Sequence, residues 1–491
     1  MQTKFDAGPT ERAISTRRQP KANAMAWIGR FGAVAIAPFP CGSKRVTGEA
    51  PCSSIMRAGG GLLTLRGISR YLSLMVKRRY VFHIAGYDPI GAAWYRLFKR
   101  ELAKFAQLWN VRPTLSDLEE STQEPNARWT VVTSAANWRV ETVYEPLLWD
   151  DIVLSDFARP TRERLAKSSL AFLDIVLSGV VFRYFKANWQ YALFFLFPYL
   201  LVCAFALVAA AVAYWAASWA TLAPVPRIAV TAVLAVPLFI GLLYWPGRRW
   251  RVQQALDDWI FSWDYLYDRR TDLDARLDRF AEIVIARSRE VGWDEILIVG
   301  HSMGATLLLE VVTRALARDP DLGRHGPAVC ILTVGSTIPK FTLHPAGKRF
   351  RRYAATLVKE TSIAWAEYHA RSDAISFYKF DPVSLTRFYG DPIRGKPLMR
   401  RVRLQHMLER STYWRFRLRF MRLHYQFIMA NERRTTYDYF MMVCGPVPFA
   451  RMVLAPAGAA ELIAPDGSLL DVDAPVPAMP PPAKLPCSGP D

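Results

Sequence analysis

The residues of this 491-residue chain best suited to covalent chemistry are Gly300-His301-Ser302-Met303-Gly304. They follow the run Glu295-Ile296-Leu297-Ile298-Val299 and precede Ala305-Thr306-Leu307-Leu308-Leu309-Glu310, whose apolar residues have helical spacing. A glycine-x-serine-x-glycine pentapeptide between a buried strand and a helix makes a tight turn with the serine at its apex. Side chains at positions 300 and 304 would collide with the neighbouring strand and helix, whereas Ser302 keeps its hydroxyl exposed. The Met303 amide and the start of the following helix face any negative charge that develops on a bound carbonyl oxygen. Nucleophilic attack by Ser302 is the chemistry such a turn serves. The bland alternative is an ordinary strand-to-helix turn.

A second glycine turn lies upstream, where His83-Ile84-Ala85-Gly86-Tyr87-Asp88-Pro89 follows Arg79-Tyr80-Val81-Phe82. At these two places the chain resembles the α/β-hydrolase superfamily, particularly its lipases and esterases, and the resemblance extends over most of residues 78–445 outside a central insert. It implies an α/β fold with a mostly parallel sheet and helices on both faces. It also implies a serine hydrolase that cleaves a carboxylic ester or thioester through a Ser-His-Asp triad and an acyl-enzyme. The resemblance assigns the backbones of Gly86 and Tyr87, with Met303, to the oxyanion hole. Without it, the upstream loop reads as a simple glycine turn with His83 packed. One departure is visible: the antiparallel strands that precede this loop in the family are missing unless residues 1–74 hold them, so a sheet shortened at that edge is expected.

In the family the acid and then the base follow the nucleophile along the chain. Ala364-Trp365-Ala366-Glu367-Tyr368-His369-Ala370-Arg371-Ser372-Asp373 reads as a short strand ending in a polar turn, which makes Asp373 the first choice for the acid. Asp381 and Asp391, each followed by proline, are turn residues by default. Five histidines follow Ser302. His325 and His344 precede the acid, and His369 is too close to Asp373 along one strand. His424 and His406 remain as candidate bases, with His424 preferred because it lies near the end of the folded region.

The elements that would position these groups alternate as strand and helix: strands near 80–84, 129–134, 140–144, 296–299 and 329–334, with helices near 92–108, 271–290 and 303–318. Such alternation predicts a parallel sheet covered on both faces. The pattern is interrupted at 166–252. Residues 187–226 and 228–247 carry no charge and only Arg227 separates them, so Leu193–Ala220 and Ile228–Trp245 are each long enough to cross a bilayer. Cations crowd the outer flanks at Arg183, Lys186, Arg248, Arg249 and Arg251, which places both termini and the catalytic domain in the cytoplasm, at a bacterial inner membrane. A buried helical hairpin in a soluble core is the competing reading. Lys167–Tyr184 reads as a shorter amphipathic helix packed on the membrane or the domain.

Removing the insert, residues 1–74 and a Pro/Ala-rich tail from 455 leaves roughly 290 residues, the size of one α/β domain. Residues 1–74 read as a disordered arm or a mis-annotated stretch ahead of Met75, and 455–491 as a disordered tail. Met25–Pro40 is interrupted by Arg30, so no cleaved signal peptide is expected. Lys plus Arg outnumber Asp plus Glu by 63 to 43, so the surface should seek anions. With 52% hydrophobic residues, a disordered chain or a simple soluble basic protein is excluded. Six cysteines without a CxxC pair indicate neither a zinc site nor a disulfide framework, and no cofactor or metal is implied.

The stretch Arg415-Phe416-Arg417-Leu418-Arg419-Phe420-Met421-Arg422 is a solvated face or a surface for lipid headgroups. Nucleic acid is not an expected partner, since no RNP, KH or zinc signature is present. The expected partners are membrane lipid and an ester-containing small molecule or lipid; oligomeric state is open. The rival to the enzyme is a catalytically silent scaffold or receptor of the same fold.

Overall fold

The structure, a computed structural model, describes residues 75–91, 93–120, 125–221, 223–383 and 397–470. The expectations for residues 1–74, for the end of the chain beyond 470 and for Asp391 lie outside them. Nine strands form one sheet: β1 (Arg78–Ile84), β2 (Arg112–Leu115), β3 (Glu119–Glu120), β4 (Ala127–Ser134), β5 (Arg139–Pro146), β6 (Glu295–His301), β7 (Ala328–Val334), β8 (Ile363–Ala370) and β9 (Leu398–Val402). The order is β2-β4-β5-β1-β6-β7-β8-β9, with β3 on β4. All pairs from β5 to β9 are parallel, and β2, β3 and β4 join antiparallel. The α/β character expected from the alternating pattern is present. The expectation of a shortened edge is corrected: antiparallel strands are there, but they follow β1 in the chain, because the hairpin β4–β5 turns back on itself after helix α1 (Ala93–Trp109).

Residues alternate between the two faces, as a sheet covered on both sides requires. Val81, Leu297 and Val299 point into a core shared with α1 and the segments Tyr439–Cys444 and Phe449–Leu454. Tyr80, Phe82, Ile296 and Ile298 point into the opposite core. There they meet α8 (Val252–Leu266), α9 (Thr271–Ser288) and α10 (Met303–Arg318).

Between β5 and α8 run α2 (Asp150–Phe157), α3 (Thr161–Leu177), α4 (Val180–Ala187), α5 (Trp189–Ser218), α6 (Pro224–Tyr244) and α7 (Pro246–Arg249). The single amphipathic helix expected over 167–184 is two helices bent by 72°. Gly179, in the left-handed region at φ +72°, breaks it. Helices α5 and α6 are long and apolar enough to cross a membrane, and each begins about four residues earlier than the sequence pattern placed it. Ala209, Ala213 and Ala217, four residues apart, are buried where α5 packs on α6; small residues let such backbones approach closely. The hairpin packs back on the domain through the middle of α5 and the end of α6, where Phe205 and Leu243 form a small core with Val252 and Leu256. Trp215, Trp219 and Trp245 are exposed, while Trp250 stacks on Phe205 at 5.9 Å.

The fold extends past the expected boundary at 455. Residues Ala459–Leu462 are helical and Ile463 bridges Leu469. Trp138 Nε1 donates to the Gly467 carbonyl at 2.8 Å, and Arg434 Nη1 to that of Ala464 at 2.8 Å. Composition pointed to an unstructured tail there because side chains from distant segments, not local periodicity, satisfy this irregular backbone.

The domain is closed by a buried ion pair. Arg79 Nε donates to Glu295 Oε1 at 2.7 Å, joining β1 to β6, and the Arg79 Nη atoms donate to the carbonyls of Gly445 and Val447. Glu295 Oε2 accepts from the Phe449 amide at 2.7 Å. Glu295→Ala leaves the Arg79 charge buried without its counter-charge, and we expect it to lose about 3–5 kcal/mol of stability. The check is the denaturation midpoint of the detergent-purified protein; a loss under about 1 kcal/mol, the range of an exposed pair, would show that the network is not what holds the C-terminal segment to the sheet.

Candidate functional site

Register decides which loops meet. In the parallel pair β1–β6, Ile84 lies opposite Gly300, and in β6–β7 His301 lies opposite Val334. The segments that leave β1, β6, β7 and β8 therefore emerge side by side at the carboxyl edge of the sheet, where ligands of open α/β sheets bind.

Ser302 stands between β6 and α10 with φ 57° and ψ −121°, a conformation that costs a non-glycine residue energy and persists only when its surroundings enforce it. The glycines show what enforces it. A Cβ on Gly300 would stand 2.6 Å from the Ala305 Cα, and one on Gly304 would stand 2.6 Å from the Ala85 carbonyl oxygen and closer still to that of Ile84. Strand, turn and helix thus close on one another with no room for a methyl group. Gly86 approaches from the other side, where an added Cβ would lie 2.9 Å from the Ser302 Cβ and 3.3 Å from its Oγ.

Asp373 follows β8 and is fully buried. Its Oδ1 accepts from the Ile375 amide at 3.0 Å, and its Oδ2 accepts from His424 Nδ1 at 2.9 Å. His424 ends the short helix Phe420–His424 and is buried. Its Nε2 makes no hydrogen bond within the protein, and it lines the same cleft as Ser302. Gly335, at φ 55° beyond β7, makes room for this ring: a Cβ there would lie 2.9 Å from His424 Cε1. The structure therefore brings together Ser302, Asp373, His424, Met303, Gly86 and Tyr87. A histidine held at Nδ1 by a carboxylate, with Nε2 unengaged beside a cleft that a serine also lines, can take and return a proton.

The other candidates lie elsewhere. His406 is exposed and lines a separate cleft with Arg401, Arg403 and Arg433. His325 is exposed, and His344 Nε2 pairs with Asp174 at 3.1 Å. His369 is buried in β8, and burial pushes it down to about 4. His83 packs against Trp94 and Tyr144, with burial lowering it to about 3, so it is a packed residue. Asp381 Oδ1 accepts from the Val383 amide as a turn residue.

Several supporting residues were not singled out from sequence. His301 Nε2 donates to the His424 carbonyl at 3.2 Å, with the two rings 4.5 Å apart. Burial, and then the neighbouring His424 and His83, hold His301 well below the usual histidine range; its ring stays neutral beside the one that would take the proton. Tyr425 OH donates to Asp88 Oδ2 at 2.7 Å, pinning the loop after β1. Arg251, at φ 56°, reaches the same carboxylate at 3.6 Å. Tyr87 turns its ring away among Trp149, Phe157 and Phe261, and its hydroxyl donates to Asp156 at 2.9 Å. His301 and Tyr425 carried a signal in their adjacency to Ser302 and His424. Arg251 read only as a flanking cation of the hairpin.

These groups border one open cleft at the carboxyl edge of the sheet. Tyr191, Phe194 and Phe197 of α5 form part of its wall, with Trp250, Phe420 and Met421.

Gly304→Ala should be among the most damaging single methyl additions in this chain, since β1 and α10 must separate to admit it; we expect a loss of about 3 kcal/mol or more, read from thermal melting in detergent. A variant within about 0.5 kcal/mol of the parent, the usual range for a surface change, would show that the elbow is not packed this tightly. No protein-family model, curated protein or solved structure matches the chain, so the chemistry of the site rests on its own geometry.

Proposed function

We propose that the protein is a membrane-anchored serine hydrolase, lipase- or esterase-like within the α/β-hydrolase superfamily, that cleaves a carboxylic ester or thioester. The observation that carries this reading is the strained Ser302 turn sharing one cleft with His424, whose Nδ1 is bound by buried Asp373. Ser302 Oγ attacks the acyl carbon while His424 Nε2 takes its proton. The charge that builds on the carbonyl oxygen is met by the amides of Met303, at the start of α10, and of Gly86 and Tyr87. The bond to the leaving alcohol or thiol then breaks, and His424 returns the proton to it. Water, activated by the same histidine, hydrolyses the acyl-enzyme and frees Ser302. Asp373 holds the imidazole tautomer and stabilises its cation. The hairpin anchors the domain at a bacterial inner membrane with both flanks and both termini on the cytoplasmic side, and the cationic flanks together with Arg415–Arg422 meet anionic headgroups.

Ser302→Ala and His424→Ala should each remove several orders of magnitude of ester hydrolysis, with little further loss when combined, because a catalytic unit is strongly non-additive. Asp373→Asn should be severe but milder, and His406→Ala should retain most activity. Short acyl esters and a fluorophosphonate probe in detergent report the outcome, with melting curves recorded beside them. A folded wild-type protein that neither labels nor hydrolyses would favour a silent scaffold or receptor.

The protein should also stay in the membrane pellet through high salt and alkaline carbonate. Release by salt alone would reduce the anchor to its basic surface.

A further inference from the structure

We propose that the cleft is loaded sideways from the bilayer, and that its occupant is the acyl chain of a membrane-resident ester or thioester guided by Phe194, Phe197 and Phe420. This rests on the hydrolase reading above and adds to it a substrate class and a route.

Helix α5 has 30 residues and so extends about 45 Å, whereas the hydrocarbon layer is about 30 Å thick and takes roughly twenty residues. About ten residues are left over, and burial says at which end. Tyr191, Ala192, Phe195 and Pro198 are buried, against partners that include Tyr184, Trp259 and Phe377. Phe205, packed with Val252 and Leu256, is the last large side chain of α5 buried against the domain, and beyond it Leu207, Val208, Val212 and Tyr214 are exposed. The hydrocarbon boundary on the domain side therefore falls within residues 200–205, between exposed Leu200 and domain-packed Phe205.

The same embedded turns line the cleft. Phe197 lies one to two turns below that boundary and Phe194 one turn deeper, and Phe420 packs against Phe194 at 6.0 Å and against Phe197 at 6.3 Å. Phe420 opens the short helix that His424 closes. An apolar wall thus runs from the level of the hydrocarbon down to Ser302 and His424. The polar lining, Asp88, Arg251, Gln254 and Asp258, comes from the loop after β1 and from the chain where it leaves the hairpin. An amphiphile fits this division: its chain lies along the aromatic wall, where burial is favourable, and its polar end meets the charged residues.

The test uses the full-length protein in phosphatidylcholine vesicles, with p-nitrophenyl palmitate dissolved in the bilayer and p-nitrophenyl butyrate in the water. Palmitate hydrolysis should follow the mole fraction of ester in the membrane and not its bulk concentration. Phe194→Ala, Phe197→Ala and Phe420→Ala should each lower the palmitate-to-butyrate rate ratio about tenfold, the scale of discrimination that apolar contacts supply. Phe420→Leu, which keeps much of the volume, should fall between parent and alanine variant and guards against misfolding. Fluorophosphonate labelling identifies folded variants; an unchanged ratio among those that label overturns the proposal, as does a rate that follows bulk concentration. A wild type that labels and cleaves butyrate but spares palmitate overturns this inference alone. One that neither labels nor cleaves either ester sinks the hydrolase reading and this inference with it.

Discussion

The close approach of α10 to the end of β1 is the constraint from which the rest of the site follows. Gly300 and Gly304 let the first turn of α10 settle against its own strand and against the carbonyls of Ile84 and Ala85. That contact forces Ser302 into a positive φ and lifts it to the sheet edge. It also aligns the loop after β1, so that Gly86 lies against the Ser302 side chain. The register of β1 on β6 supplies the same alignment through backbone hydrogen bonds, and the buried pair Arg79–Glu295 locks it from the opposite end of both strands.

Around this contact the domain and the apolar hairpin are wired into one unit. Tyr87, in the loop facing Ser302, donates to Asp156, which also binds Arg159 and Arg270. Arg159 and Arg164 in turn bind Asp257 on α8, the first long helix after the hairpin. Burial raises the Asp257 carboxyl to about 6 even though the two guanidinium groups pull it down. Charges so far from water are stable only with their partners in place. The loop beside Ser302 is thus held by residues on both sides of the insert, and Arg251, shortly after the hairpin, reaches Asp88 in that loop.

Much of this was legible in the chain itself. The elbow, the central strands and the two long apolar helices are local patterns: hydrophobic period, glycine placement and the absence of charge over about twenty residues each follow from short-range sterics and solvation. The acid and the preferred base could be proposed from chain order once the elbow was seen, and the structure joins Asp373 to His424 at 2.9 Å. Sequence left His424 and His406 as rivals because both lie near the end of the domain; only packing separates them, one buried beside Gly335 and the other exposed in a different cleft.

Sequence alone determined that the chain carries a serine elbow on a strand-helix unit and a hairpin able to span a bilayer whose one charge is Arg227, because both are written in contiguous residues. Tertiary structure decided what depends on groups far apart in the chain. It drew the antiparallel edge from strands after β1, added residues 455–470 to the fold, broke 167–184 at Gly179, and brought Phe194, Phe197 and Arg251 to the border of the Ser302 cleft. Hydrophobic periodicity reports that a residue is buried but not against what; the partner is set by long-range register and packing, which no local pattern encodes.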